Sequence, residues 1–391
     1  MNAYCASAPG KILWLGGYSV LEKGNVSLVT VVDKRVYAEC ELSEGDGIVF
    51  NIPQFKVNLQ GKIRNGKIYL NATSESAQKA KFVIAAAENC IKYLEAKGKK
   101  ARGFKLTTVS DKSFGTGKEK TGLGSSAAVT VASVASIMDA FGNGIETGRN
   151  KLVIHNLSQL AHSDAQGKMG SGFDIAAATF GTINYSRYSP EIIAKANGKK
   201  GNEFAKLMEK AWDCSIELVS LPEHFIPVLA FTNVSASTSE MVKKVLELKK
   251  NKRRIYSEMI SEINNANKDA IENLNQVAMS KNTALQQFKN HFEDARLLTK
   301  KLGELAGADI ENPRFTKLIQ LSLSQGAFVC KLPGAGGGDS IAAICLNGKD
   351  AGKLRNFWKS LKLSLLDVEF GNGGARKEGT AAVEKMLKTN A

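Results

Sequence analysis

A long stretch without glycine or proline constrains the fold of this chain more than any other sequence feature. Between Thr232 and Leu302 neither helix breaker occurs, and Lys, Glu, Leu, Asn and Met dominate. Apolar residues recur there at helical spacing but do not keep a clean heptad, which predicts several amphipathic helices rather than a coiled coil. The second half of the chain therefore contains a helical block.

Strand-like and helix-like stretches alternate on both sides of this block. The first part predicts strands at Val26–Ala38 and Phe104–Val109, helices at Glu75–Glu95 and Ala127–Phe141, and a strand at Gly181–Tyr188. The last part predicts strands at Ala327–Leu332 and Leu365–Phe370, a strand or helix at Ser340–Leu346, and a helix at Ala351–Leu361. This order predicts the α+β class with two sandwiches, divided near the polar segment 195–202 into domains 1–195 and 196–391.

Composition limits the class of protein. The chain has 391 residues, enough for two domains. It lacks both a run of about 20 apolar residues, the length that spans a bilayer, and the basic and apolar regions of a signal peptide at its start. Six cysteines are scattered without metal-ligand spacing, which favours reduced thiols. We expect a cytoplasmic protein without a membrane partner.

The net charge of +15 leaves three interpretations open: nucleic-acid binding, an anionic small substrate, or a basic surface. The densest basic run, 249–254, has no interleaved aromatic residues on which bases could stack. A solvated helix face explains that run better, and we expect no nucleic-acid partner. Net charge alone does not identify the ligand.

A glycine-rich turn, Gly122-Leu123-Gly124-Ser125-Ser126, leads into an apolar helix that begins with Ala127 and Ala128. Such a turn points backbone N–H groups and the positive end of the helix dipole at an anion. It is not a Walker A loop, because no Gly-Lys-Ser/Thr follows. A plain helix cap is the alternative for this turn.

A second glycine-rich segment and two charged residues extend the pattern. Pro333–Asp339 contains four glycines between apolar strands, a composition that favours close approach of the backbone to a ligand over a loose hairpin. Lys11 follows Pro-Gly and precedes an apolar run, and Asp174 precedes another, where it could simply cap a helix. A lysine and an aspartate meeting at a phosphate-binding loop would suit phosphoryl transfer.

Together these motifs resemble the GHMP kinases, whose three motifs occur in the same order over nearly the whole chain. The matching segments are 9–16, 122–128 and 334–339, and 170–176 and 236–239 match the members that act on phosphomevalonate. The resemblance implies a two-domain fold, with an N-terminal domain like ribosomal S5 domain 2, a ferredoxin-like C-terminal sandwich and an active site in the cleft between them. Adenine contacts are expected among residues 60–115.

The resemblance also assigns residues. Lys11 and Asp174 would be catalytic, and Ser126 would contact Mg²⁺. The chain departs from the family at Ser163, which stands where mevalonate kinases tend to have an acidic metal ligand, with Asp164 as a weak substitute. The implied ATP-binding residues are Lys120, Gly122, Leu123, Gly124, Ser125, Ser126 and Ala127. The implied acceptor-binding residues are Lys11, Tyr18, Ser19, Ser171, Gly172, Ser235, Ser237, Ala335, Gly336, Gly337, Gly338 and Asp339. A core role for Tyr18 and a helix-cap role for Ser237 are the alternatives.

The activity implied by the resemblance is transfer of the ATP γ-phosphate to 5-phosphomevalonate, which gives 5-diphosphomevalonate and ADP in isoprenoid biosynthesis by the mevalonate pathway. The cofactors would be ATP and Mg²⁺. Mevalonate or another small molecule is the alternative acceptor, and a basic nucleic-acid-binding protein on a related fold is the remote one. A coupled assay of both acceptors, and salt-dependent binding to RNA or DNA, separate these alternatives.

Overall fold

The longest strand, β2 (Val26–Leu42), organises the larger of two sheets in the computed structural model, which describes residues 3–115, 122–167, 170–232, 234, 237–278 and 282–390. Its run of Val and Thr suits a strand that is buried between neighbours. In spatial order the described strands are β13 (Arg376–Glu378), β1 (Ala3–Leu13), β2, β6 (Phe104–Ser110), β3 (Gly47–Ile52), β4 (Val57–Arg64) and β5 (Lys67–Asn71). β7 (Ile183–Ser186) pairs with the start of β2, and β8 (Ser215–Leu218) pairs with β7.

Helix α2 (Ser125–Ala140) packs directly on β1 and β2. Its alanines and valines are almost all buried, because small side chains allow the helix to lie close to the sheet with other helices around it. Those neighbours are α1 (Ser74–Ala96), α3 (Gly148–Gln166) and α4 (Phe173–Phe180). Two further helices, α5 (Glu191–Gly198) and α6 (Gly201–Glu209), follow β7.

The smaller sheet is antiparallel and belongs to the second half of the chain. In order its described strands are β10 (Val329–Lys331), β11 (Ser340–Cys345), β9 (Ile226–Phe231) and β12 (Ser364–Leu366). Phe315 of α10 (Pro313–Ser324) and Trp358 of α11 (Gly348–Ser360) pack into its core. The chain then returns to β13 and ends in α12 (Ala382–Asn390).

The predicted helical block is confirmed. It forms α7 (Thr238–Asn251), α8 (Arg253–Ala278) and α9 (Asn282–Ala306), which pack on one another. The segment 340–346, left open between strand and helix, forms β11. The strand predicted at Leu365–Phe370 ends at Leu366, because the chain then turns to the larger sheet, where Phe370 bridges Val32.

Two sheets with helices packed on them confirm the predicted α+β class. β8 and β13 both follow residue 195 in the chain and yet pair within the larger sheet. The division into domains 1–195 and 196–391 stays a prediction. No helix within the described residues has the length and apolar character needed to cross a membrane.

Candidate active site

Lys11 lies at the end of β1, just past a bulge in the pairing with β2, and reaches the loop ahead of α2. Its Nζ donates to the carbonyl oxygen of Gly122 at 2.9 Å, and its backbone N–H donates to the carbonyl of Leu123 at 2.8 Å. A Cβ at Gly124 would come within 2.8 Å of the lysine Cε. Only glycine at position 124 therefore leaves the lysine side chain room to cross the loop.

The charge of Lys11 is set by two opposing effects. Burial lowers the pKa of the ammonium from its ordinary value, and the Asp174 carboxylate raises it again. The ammonium also lies 5.6 Å from the centre of the Phe173 ring, a cation–π contact. Lys11 and Asp174, distant in the chain, are thus close enough in space to interact.

The Gly122–Ala128 loop has the geometry of an anion site. Gly122 and Gly124 have φ angles of +75° and +77°, which turn the chain into the first residue of α2, Ser125. The helix begins its hydrogen bonding with Ala128 N–H, which donates to the carbonyl of Gly124 at 3.1 Å, so the N–H groups before it have no acceptor within the helix and can bind a ligand. Leu123 and Ala127 are buried and offer backbone groups only. The predicted Lys120 lies outside the described residues.

Ser126 has a partner that the sequence did not suggest. Its Oγ lies 3.1 Å from Nε2 of His162, which is buried on α3 and stacks on Phe82 with ring centres 5.2 Å apart. Burial lowers the pKa of His162, so the imidazole is neutral at physiological pH. A hydroxyl that donates to this ring keeps both lone pairs for a cation. Sequence spacing could not reveal the pair, because 36 residues separate its members.

A cavity of about 540 Å³ adjoins this loop on the side of α1. Ser125 and Ser126 form one end of the cavity, and Phe55, Phe82 and Val129 supply apolar walls. The cavity suits a flat heterocycle whose phosphates extend to the helix N-terminus. Its lining includes residues within the range 60–115 expected for adenine contacts, and also Ile52, Gln54, Phe55 and Lys56, which lie outside that range.

Asp174 is in the first turn of α4, after a segment fixed by buried groups. Gly172 has a φ of +82°, and its carbonyl accepts from Gln159 at 2.7 Å. The carbonyl of Ser171 accepts from the hydroxyl of Tyr185 at 2.9 Å. The predicted residues Ser171, Gly172 and Asp174 therefore form one rigid edge.

The second glycine-rich loop, Pro333–Asp339, packs on the segment that follows Lys11. Tyr18 is buried, as the core alternative predicts, and its hydroxyl donates to the carbonyl of Ala335 at 2.8 Å. Gly334 N–H donates to the carbonyl of Leu13 at 3.4 Å. A Cβ at Gly338 would lie 2.1 Å from the Phe315 ring, so this loop position also requires glycine.

The remaining predicted residues are placed differently. Ser19 is fully buried, and its hydroxyl bonds to Gly16 and Asn267, so it supports the loop from beneath. Ser237 caps α7 by accepting from the N–H of Glu240, in line with the cap alternative. Gly336 and Gly337 pack on Ile310, and Asp339 accepts from Thr232 N–H through its carbonyl at 3.1 Å. Ser235 lies outside the described residues.

A cleft of about 940 Å³ lies between α7 and the start of α4. His162, Ser171 and Asp174 line one side, and Thr238, Ser239 and Lys243 line the other. Lys81 of α1 also faces the cleft and was not singled out from the sequence, since one lysine on a polar helix carries no signal. The cleft is wide enough for a small anionic molecule and has cations on both sides.

The protein groups suit a magnesium ion that is held mainly by nucleotide phosphates. No cluster of three or more His, Cys, Asp or Glu residues suited to a metal occurs in the part of the chain that the structure describes. Asp164 is an unsuitable substitute for the missing acidic ligand, because both of its oxygens accept from side-chain amides, of Asn89 and Asn197. Mg²⁺ commonly takes one or two protein ligands and completes its shell with phosphates and water. Ser126 fits such a role.

Comparison with known proteins shows which family the chain resembles. Residues 81–182 match the family model described as the GHMP kinases N terminal domain, and residues 281–362 match the GHMP kinases C terminal model. Phosphomevalonate kinase of Saccharolobus solfataricus is 30% identical over 370 residues, covering 94% of this chain and 97% of the relative.

Two solved structures share the whole fold. The Lin0012 protein of Listeria innocua superposes with a TM-score of 0.82 at 25% identity, over 96% of this chain and 99% of the other. Phosphomevalonate kinase of Streptococcus pneumoniae, in complex with phosphomevalonate and AMPPNP, superposes with a TM-score of 0.74 at 22% identity, over 95% and 100%.

Proposed function

The chain belongs to the GHMP kinase family, and from this premise we propose that it acts as a phosphomevalonate kinase. It transfers the γ-phosphoryl group of ATP to the terminal phosphate of 5-phosphomevalonate in the mevalonate pathway of isoprenoid biosynthesis. An oxygen of the acceptor phosphate forms the new P–O bond, the bond from the γ-phosphorus to the β-γ bridging oxygen breaks, and ADP leaves. The relative that is 30% identical, the phosphomevalonate kinase of Saccharolobus solfataricus, supports this acceptor.

One observation carries the proposal: a single short segment, residues 11–18, bonds to both glycine loops. Lys11 reaches the carbonyl of Gly122 in the loop before α2, and Tyr18 reaches Ala335 in the loop before β11. In the proposed complex the first loop holds the ATP phosphates and the second holds the acceptor. The segment sets the distance between the two loops, and therefore between the two phosphates.

The chemistry of a phosphate acceptor fits these residues. A phosphate monoester has its second pKa near ~6 and is already mostly dianionic at neutral pH, so no base is required to remove a proton. The obstacle is repulsion between two anions. The Lys11 ammonium, the loop N–H groups and the helix dipole reduce that repulsion and align the groups.

In this proposal Asp174 supports Lys11 more than it abstracts a proton. The carboxylate raises the pKa of the lysine against the larger effect of burial, and so favours the charged ammonium. Lys81 and Lys243 line the cleft and add positive charge around the acceptor. An alcohol acceptor such as mevalonate would need Asp174 as a base, a role with a different pH dependence.

The proposed cofactors are ATP and Mg²⁺. The nucleotide would lie in the cavity between Phe55, Phe82 and Val129, with its phosphates at the N-terminus of α2. Ser126, oriented by His162, would be a protein ligand of the metal. Bound Mg²⁺ would neutralise part of the charge on the nucleotide phosphates.

A cytoplasmic location is part of the proposal. All six cysteines are free, and five of them are buried, which suits a reducing compartment. Fractionation of the source cells, followed by an immunoblot for the protein, tests this location.

Product analysis tests the proposed function. The purified protein is incubated with ATP, Mg²⁺ and either phosphomevalonate or mevalonate, and ³¹P NMR follows the products. We expect the two doublets of a diphosphate monoester, with equal release of ADP, from phosphomevalonate only. Turnover of mevalonate with none of phosphomevalonate would instead make the protein a mevalonate kinase.

A further inference from the structure

Lys331 is a buried lysine that has no role in the proposed transfer. It is the last residue of β10, is 8% exposed, and precedes the glycine loop by only two residues. A buried ammonium is costly unless it is paired or hydrogen-bonded, so its partners decide what it does.

The partner of Lys331 belongs to the segment that carries Lys11. Its Nζ donates to the backbone carbonyl of Trp14 at 2.6 Å, and Trp14 directly follows β1. The accepting residue is itself fixed, because the Trp14 indole is fully buried and donates to the hydroxyl of Thr30 at 2.9 Å. A charge-assisted hydrogen bond of this length is stronger than a neutral one.

The other hydrogen bonds between the segment that carries Lys11 and the loop before β11 are between neutral groups. Among the described residues, Gly334 N–H reaches the carbonyl of Leu13 at a long 3.4 Å, and Tyr18 donates to Ala335. Lys331 therefore adds a charge-assisted bond beside two neutral ones. Lys331 lies just before the Gly334–Gly338 loop. A change in the direction of the chain at that point would move every backbone N–H group of the loop.

Charged groups near Lys331 set its protonation state. Arg296 of α9 forms ion pairs with Glu293 and Glu311. Burial lowers the pKa of Lys331 to about 8, a shift that Glu311 opposes and Arg296 reinforces, so the lysine is mostly charged at neutral pH. Two cations and two carboxylates then balance in a cluster in which Glu293 is partly exposed and the other three groups are buried.

The same cluster supports the loop from its other side. Glu311 follows Ile310, whose carbonyl accepts from Gly337 N–H at 2.8 Å. A Cβ at Gly336 would lie 2.4 Å from that carbonyl oxygen. The loop is therefore held between the 310–311 segment and the residues after β1, with Lys331 bonded across the base.

We propose that Lys331 is a positioning residue that fixes the Gly334–Gly338 loop to the segment carrying Lys11, and thereby sets the affinity for the anionic acceptor. The proposal rests on the proposed function, in which this loop binds the acceptor. Neither Lys331 nor the Gly334–Gly338 loop lines the nucleotide cavity, so loss of Lys331 should weaken acceptor binding selectively.

Steady-state kinetics of Lys331→Met, Lys331→Gln and Lys331→Arg test the proposal, with Lys317→Met, an exposed lysine of α10, as the matched control. Loss of one charged hydrogen bond should raise the acceptor KM for Lys331→Met roughly tenfold or more. The ATP KM should stay within about twofold on the same reasoning, since no nucleotide contact changes. Lys331→Arg should recover most of the loss, and Lys317→Met should match the wild type.

Equal rises in both KM values, or a Lys331→Arg no better than Lys331→Met, would overturn the proposal. If Lys331→Met does not fold, Lys331→Gln and Lys331→Arg decide by the same comparison of KM values. Wild-type turnover of phosphomevalonate tests the proposed function separately. Deuterium uptake of residues 334–338 needs no acceptor: it should quicken in Lys331→Gln, and unchanged uptake would also overturn the role of Lys331.

Discussion

At the scale of single residues, the site depends on an ammonium in a buried place that disfavours its charge. Burial lowers the pKa of Lys11, and Asp174 offsets part of that effect. The lysine bonds to the Gly122–Ala128 loop and also interacts with the carboxylate of α4. Its state of protonation should therefore govern the rate.

The pH dependence of kcat should show this. Because the pKa of Lys11 is lowered, the ammonium is lost as pH rises through a value below the ordinary 10.5, and kcat should fall on the alkaline side. The substrate phosphates titrate near ~6 and do not contribute there. The measurement is kcat between pH 6 and 10 at saturating acceptor, which removes the effect of any weaker acceptor binding.

The control for this profile is Lys11→Arg, whose guanidinium stays charged throughout the range. Its kcat should be lower than that of the wild type but flat on the alkaline side. An alkaline fall at the same pH in both proteins would assign the titration to another group.

Individual residues also show where sequence reasoning stops. Lys11, Asp174 and the glycines were found because their residue types are unusual beside apolar runs. His162 was missed, since a histidine within a helix carries no mark of its partner, and Ser126 meets it only after folding. Ser19 shows the reverse: it lies next to Tyr18 in sequence, but its hydroxyl bonds to Gly16 and Asn267 beneath the loop.

At the scale of elements, the glycine loops act through backbone conformation. Gly124 adopts a φ of +77° and leaves no room for a Cβ beside Lys11. Gly338 likewise packs on the Phe315 ring. At both positions a larger residue would collide with a neighbouring side chain.

The substitution Gly124→Ala tests whether the loop before α2 requires glycine at this position. The left-handed backbone costs a non-glycine residue about 1 kcal/mol, and the new methyl group would displace the Lys11 side chain from Gly122. We expect kcat/KM to fall roughly 100-fold, the size of a lost alignment, with a drop of only a few degrees in Tm.

Gly352→Ala is the matched control, because nothing lies within 4 Å of a Cβ in that position of α11. Alanine in a helix should stabilise the protein by up to about 1 kcal/mol and leave the kinetics unchanged. Equal activity in Gly124→Ala and the wild type would contradict the loop argument.

Element prediction succeeded where the local pattern decides the structure. The helices between 238 and 306 follow from the absence of glycine and proline, and α2 follows from its alanines and valines. The predicted strand at 365–370 is shorter, because Asp33 accepts from Glu369 N–H and draws the chain to the larger sheet. Distant partners of this kind leave no mark in the local sequence.

At the scale of the whole molecule, the site exists because segments far apart in the chain converge on residues 11–18. The loop before α2, the start of α4, the loop before β11 and Lys331 all bond to this segment or interact with it. The order of the motifs resembles that of the GHMP kinases, and this resemblance predicted that the segments meet in one site. The pairing of β8 and β13 with the larger sheet was not predictable, since each pairs with a strand that is not its neighbour in the local sequence, and the partner of β13 lies at the opposite end of the chain.

The central claim is that charge stabilisation by Lys11 between two glycine loops, rather than proton removal by Asp174, carries the transfer to a phosphate acceptor. The most direct test compares kcat for phosphomevalonate in Lys11→Ala and Asp174→Asn. We predict a loss of roughly 1000-fold or more for Lys11→Ala. For Asp174→Asn we predict about tenfold or less at neutral pH, growing at alkaline pH as Lys11 deprotonates earlier. Equal losses in the two variants at neutral pH would contradict the claim.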